Sequence, residues 1–152
     1  MTAWRDEVAG ALDDFRAVTE LAGAPISKTD LAIEYLDAPH RPPSSLPGGR
    51  MAVYGFWHDG DWLKIGQAGP NSQARYTSQH YNPNSAPSTL AASLTKDPRM
   101  AATAGFELAR PGDWIKARCC RVNVLLPARH GKAVLALLEA FLHVRFQPRY
   151  ER

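Results

Sequence analysis

The chain holds only two cysteines in 152 residues, and they are neighbours, Cys119 and Cys120. Successive side chains of a strand point to opposite faces, so the pair reads as strand packing. With no CxxC pattern and no second pair, nothing suggests structural zinc. No apolar run approaches the ~20 residues that cross a bilayer, so no membrane partner is expected. The first residues, with Arg5, Asp6 and Glu7, lack the apolar core of a secretory signal, and a cytoplasmic location is the expectation. Internal repeats, zinc fingers and a phosphate-binding P-loop are all missing, so an ATP-driven role is not indicated. Acidic residues are scarce in one region: between Trp114 and Tyr150 the single acid is Glu139, against Lys116, Arg118, Arg121, Arg129, Lys132, Arg145 and Arg149.

What is present fits one domain, and 45% apolar residues suffice for a core. Charge divides the chain. Residues 1–50 carry five Lys or Arg against eight Asp or Glu, net −3, whereas residues 51–152 carry thirteen against seven, net +6. A basic body attracts phosphate backbones and makes binding salt-dependent, although proteins without a nucleic-acid partner also reach this charge.

Residues 1–38 read as an N-terminal helical arm. Val8, Leu12, Phe15, Val18 and Leu21 recur near the helical period, and Ser27 or Thr29 can start a second helix through Leu36. The Pro/Gly-rich stretch 39–50 reads as a linker, and residues 51–152 as the main domain. The acidic arm is expected to pack on the body or to pair with a second subunit.

Two β-type runs, Met51 to Trp57 and Trp62 to Ile65, flank His58-Asp59-Gly60-Asp61, and Asp-Gly between such runs is a strong hairpin signal. Tyr54 and Lys64 share a face of that ribbon only if its register pairs them suitably. Gly66 to Ser72 reads as a loop, with Asn71 or Ser72 capping a short helix that carries Arg75 and ends near Tyr81. Ser88 can cap a helix through Leu94, and Arg99 to Ala104 can add another. A third strand is expected over Arg118 to Leu126 and a helix with Glu139 over Gly131 to Phe146. The expected fold is therefore α/β (α+β): a small, mainly antiparallel three-stranded sheet flanked by helices.

Ala52-Val53-Tyr54, then after nine intervening residues Lys64-Ile65-Gly66, then Arg75 and finally Glu139, resemble in order and spacing the motifs of the GIY-YIG nuclease family. Lysine replaces the second tyrosine, as in a restriction-type or phage-type variant. The resemblance covers roughly residues 50 to 150. It implies a metal-dependent endonuclease that hydrolyses phosphodiester bonds in DNA, with Mg2+ or Mn2+ held by Glu139 and a water activated near Tyr54. Arg75 would brace the scissile phosphate, and Lys64 would supply a positive field or accept a proton. One carboxylate is workable, because magnesium keeps several waters. The resemblance also implies a histidine or tyrosine beyond the helix arginine, which makes His80 a catalytic candidate and Gln79 and Tyr81 nucleic-acid contacts. An asparagine after the metal glutamate is missing, and Gln147 is the residue available in its place. Lys96, Arg99, Arg110 and Lys116 are candidate phosphate contacts, and Trp114 offers an aromatic face to an unpaired base.

Each residue also has a plain structural reading. Tyr54 and Trp114 can be core aromatics, Lys64 and Arg75 solvated charges, and Glu139 the partner of a neighbouring arginine beside the packed stripe of Leu135, Leu138 and Leu142. A nucleic-acid-binding module that lost the chemistry and an RNA-directed nuclease are the competing expectations. A homodimer is expected if both strands of a duplex are cut by single-site subunits.

Overall fold

The computed structural model describes residues 3–86 and 88–151. Among the described residues, five helices and four strands follow one another along the chain: α1 (Ala3–Leu21), β1 (Ala32–Leu36), β2 (Arg50–His58), β3 (Asp61–Ala68), α2 (Gln73–Thr77), α3 (Leu90–Lys96), α4 (Pro111–Arg118), β4 (Cys120–Pro127) and α5 (Lys132–Phe146). Short 3-10 turns stand at Lys28–Asp30, Gln79–Tyr81, Pro98–Ala102 and Ala128–His130. The strands form one antiparallel sheet in the order β1-β4-β2-β3.

The fold is α+β, as its patterning predicts, but the sheet has four strands rather than three. The fourth comes from Ala32–Leu36, which the capping signals at Ser27 and Thr29 had marked as helix. Those residues form only a single 3-10 turn, and Ala32 to Leu36 then pair with Leu125 to Arg121. Backbone hydrogen bonding to a strand ninety residues away outweighs the weak local preference of a five-residue segment.

β2 is the central strand and is buried on both faces. Met51 and Val53 point to the layer formed by α1 and α5; Ala52, Tyr54 and Phe56 point to the layer formed by α2, α3 and α4. The first layer holds Trp4, Val8, Ala11, Leu12 and Phe15 of α1 against Val134, Leu135, Leu138 and Leu142 of α5. Burial of each large apolar side chain there contributes about 1.5–3 kcal/mol, so α1 packs as part of the core. Leu21, read as part of the α1 stripe, is 89% exposed. The stripe ends instead at Thr19, whose hydroxyl accepts the Ile26 amide at 3.2 Å and turns the chain. Trp114 of α4 is buried in the second layer, so it offers no free aromatic face. The 39–50 stretch is also anchored, since Leu46 is buried and its backbone exchanges two hydrogen bonds with Gln73.

Candidate active site

Tyr54 stands in a row across the whole sheet, with Gly66 beside it on β3, Asn123 on β4 and Glu34 on β1. Its ring lies over Gly66 so closely that a Cβ there would sit 2.8 Å from the phenolic oxygen. The glycine of the Lys64-Ile65-Gly66 motif is therefore a spatial requirement of the tyrosine, independent of backbone conformation.

Lys64 reaches the same face through an irregularity. The Asp59-Gly60 turn pairs His58 with Asp61 and Trp57 with Trp62, but Phe56 then pairs with Lys64, leaving Leu63 without a partner on β2. Without that extra residue Lys64 would stand opposite Gly55 and point away from Tyr54. The bulge shifts the register by one and returns the lysine to the tyrosine's side. The carbonyls of Trp62 and Leu63 accept the amides of Arg149 and Tyr150, which lays the C-terminal segment along the bulge. Glu151 thereby meets Lys64, with Oε1 2.7 Å from Nζ.

α2 begins at Gln73, as expected, and carries Arg75 to the edge of the sheet, where its Nε donates to the Gln67 carbonyl at 3.2 Å. Its two terminal nitrogens make no hydrogen bond or ion pair among the described residues. The following 3-10 turn, Gln79–Tyr81, buries His80. The amide of Leu90, the first residue of α3, donates to His80 Nδ1 at 3.1 Å. That fixes the proton on Nε2, which donates to the Tyr54 oxygen at 2.8 Å. Burial, then the nearby Arg75, Lys64 and Arg121 charges, push His80 down to about 3, so it is neutral at physiological pH. Burial pushes the Tyr54 phenol up to about 12; Arg75 and Arg121 oppose the rise, and Glu139 and Glu151 add to it.

Glu139 approaches from α5 in the other layer. It is partly buried, and no hydrogen bond or ion pair among the described residues engages it. Burial raises its carboxyl above the ordinary value, while nearby His143, Arg75 and Lys64 oppose the rise and Glu151 adds to it. Among the described residues, no group of three or more His, Cys, Asp or Glu side chains is placed to hold a metal ion. An unengaged carboxylate fits a hard cation that takes its remaining ligands from water and phosphate.

Tyr54, Lys64, Arg75 and His80 thus share one side of the sheet, and Glu139 acts on the same charges from across it. Of the nucleic-acid candidates, Gln79 and Tyr81 flank His80 on its turn, and the others lie on different elements. The Tyr81 hydroxyl is engaged by His40 Nε2 at 2.7 Å and by Arg121 Nη1 at 3.2 Å. Gln79 is half-buried on the same turn, its side chain making no hydrogen bond among the described residues. Lys96 is exposed at the end of α3, and Arg99 binds Asp97 through two nitrogens, each at 3.0 Å. Gln147 is the left-handed cap of α5, φ 49°, and its amide donates to the Val144 carbonyl. Arg110, just before α4, and Lys116 on it flank Asp113.

Sequence reasoning missed Arg121, Asn123, Glu34 and Glu151. A signal existed for two of them: Arg121 and Asn123 alternate with Val122 and Val124, which sets two polar groups on one face of a buried strand. Comparison with known proteins finds no matching family model, no matching curated protein and no matching solved structure. Among the described residues, no helix is long and apolar enough to cross a membrane.

Proposed function

We propose that the protein is a metal-dependent endonuclease that hydrolyses phosphodiester bonds in DNA, as its resemblance to the GIY-YIG family implies. The observation that carries the reading is the gathering of Tyr54, Lys64, Arg75 and His80 on one face of the sheet, within electrostatic reach of an unengaged Glu139. Arg75 has a planar fork whose two ends make no bond among the described residues, which suits two phosphate oxygens. His80 cannot exchange protons at neutral pH, since its one acceptor nitrogen is taken by Leu90; its part is to orient Tyr54. The Tyr54 proton is not used in that bond and is available to a phosphate oxygen or a departing alkoxide. Taking a proton from water would require the phenolate, which burial opposes and the Arg75 and Arg121 charges favour. Glu139 would hold Mg2+ or Mn2+, which when bound polarises the phosphate and makes water more acidic.

A second reading, a nucleic-acid-binding module without catalysis, is favoured by the enclosure of the site: Tyr54 is 1% exposed, and Lys64, at 5%, is tied to Glu151. Incubation of plasmid DNA with the protein and Mg2+, Mn2+ or EDTA, beside Glu139→Ala, separates the two. Metal-dependent nicking that the variant loses supports the nuclease. Salt-sensitive DNA binding without cleavage supports the module, and cleavage confined to an RNA substrate run in parallel redirects the activity to RNA.

A further inference from the structure

Arg121 of β4 is 0% exposed, yet no carboxylate lies within ion-pair distance of it among the described residues. An uncompensated buried charge is costly, so its surroundings should account for it. Its three hydrogen-bond acceptors are neutral: Asn123 Oδ1 at 2.7 Å from Nε, the Tyr76 carbonyl at 2.7 Å from Nη2 and the Tyr81 hydroxyl at 3.2 Å from Nη1. The rest of its environment is aromatic. The guanidinium carbon lies 4.9 Å from the ring centre of Tyr54 and 5.2 Å from those of Phe56 and Tyr76.

The acceptors are themselves held in place. The Asn123 amide and the Tyr76 hydroxyl both donate to Glu34 Oε1, and the Tyr81 hydroxyl donates to His40, whose other nitrogen meets the Cys119 carbonyl. Arg121 therefore has no alternative partner to swing towards. A rigid cation against an aromatic face attracts the ring and favours negative charge on it.

We infer that Arg121 is a positioning residue for Tyr54, clamping its ring by the face and presenting a fixed positive charge that favours the ionised hydroxyl. The inference rests on the reading of Tyr54 as a proton-transfer group. The other groups that face Tyr54 are Arg75 and the Tyr76 ring from α2, Lys64 from β3, neutral His80, Glu139 from α5 and Glu151 from the C-terminal segment. Arg75, whose charge opposes the rise at Tyr54 more strongly than that of Arg121, is partly solvated, as is Glu139, and Lys64 is paired with Glu151; Arg121 is the fully buried cation that lies on the ring face itself.

The test is a 19F NMR titration of the full chain labelled with a fluorinated tyrosine whose phenol ionises well below that of tyrosine, Tyr54 being assigned by its loss in Tyr54→Phe. Arg121→Met should lower the ionisation constant of Tyr54 by about tenfold or more, and Arg121→Lys should recover part of it. A folded Arg121→Met protein whose Tyr54 titrates as in the parent, or an Arg121→Lys variant that behaves like Arg121→Met, overturns the inference and leaves Arg121 a cross-link between β4 and the Tyr76–Tyr81 segment. Should Arg121→Met not fold, Arg121→Gln, which keeps a donor for the Tyr76 carbonyl, is read by the same two criteria. The nuclease reading is judged separately: a chain that never cleaves DNA but shows the tenfold change loses that reading and keeps the coupling. Cleavage without the change loses the coupling alone.

Discussion

Tyr54 receives its hydrogen bond from His80 Nε2 at 2.8 Å, and the direction of that bond is dictated from the far side of the imidazole, where the Leu90 amide donates to Nδ1. The N-terminus of α3 thus uses one of its unpaired amides to set a tautomer. The tyrosine keeps its own proton as a consequence.

Replacing His80 with alanine removes the donor to Tyr54 and strands the Leu90 amide in a buried site. The expected cost is about 1–3 kcal/mol, plus a cavity contribution, read from urea unfolding. His80→Asn, which offers an acceptor and a donor on a shorter side chain, should recover part of it. Cleavage by both variants should fall further than their stability accounts for.

Gly66→Ala places a Cβ 2.8 Å from the Tyr54 oxygen and 2.9 Å from its Cε1. Tyr54→Phe removes only the first of these contacts, so it should not fully rescue the variant. Overpacking of this kind costs about 1–3 kcal/mol. The measurement is the denaturation midpoint of the two single variants and the double variant.

Glu139→Gln should abolish cleavage and raise stability at neutral pH. A carboxyl raised above its unfolded value disfavours the folded state once it is charged, so the parent loses stability as pH rises from about the ordinary value of 4.5 through the raised folded one. The glutamine variant lacks that loss, and the two melting curves should converge in acid and separate towards neutrality. Millimolar Mg2+ with a short DNA duplex should raise the melting temperature of the parent and not of the variant. Equal shifts in both would remove Glu139 from the metal's ligands.

Glu151→Gln leaves the buried Lys64 ammonium without its partner and should destabilise the fold by about 3 kcal/mol, the lower end for a broken buried pair. A Lys64→Met, Glu151→Leu double variant should recover most of that loss, because the apolar pair avoids desolvating two charges. Chemical denaturation of the parent, Lys64→Met, Glu151→Leu and their double variant gives the coupling directly. Additive losses would show the pair to be energetically idle.

Much of the scaffold was legible in the chain. The Asp59-Gly60 turn, the amphipathic α1 and the helix bearing Glu139 each follow from patterns within a few residues, where hydrogen bonding and periodicity act locally; α2 starts at the expected place, but Ser72 makes no side-chain cap there. Of the candidate site, order and spacing singled out Tyr54, Lys64, Arg75 and Glu139, whereas the usual four-residue offset from Arg75 falls on Gln79, one residue short of the His80 that meets Tyr54. Arg121 and Glu151 were not singled out, although the polar alternation in β4 pointed to the first. The identity of Ala32–Leu36 was also hidden, since a strand of that length is stabilised by its partner rather than by its own residues.

By itself the sequence determined where the Asp59-Gly60 turn falls and which side chains are on offer for chemistry, because turn geometry and side-chain type are local properties. Tertiary structure decided which of those residues face one another. Spacing from the tight turn would put Lys64 opposite Gly55 and away from Tyr54, and the single unpaired residue Leu63 reverses that. The return of the C-terminal segment then brings Glu151 onto the lysine, and the packing of β4 beneath Tyr54 places the Arg121 charge against its ring. Strand register and long-range charge placement are decided by the sum of contacts over the whole sheet, which no short stretch of chain encodes.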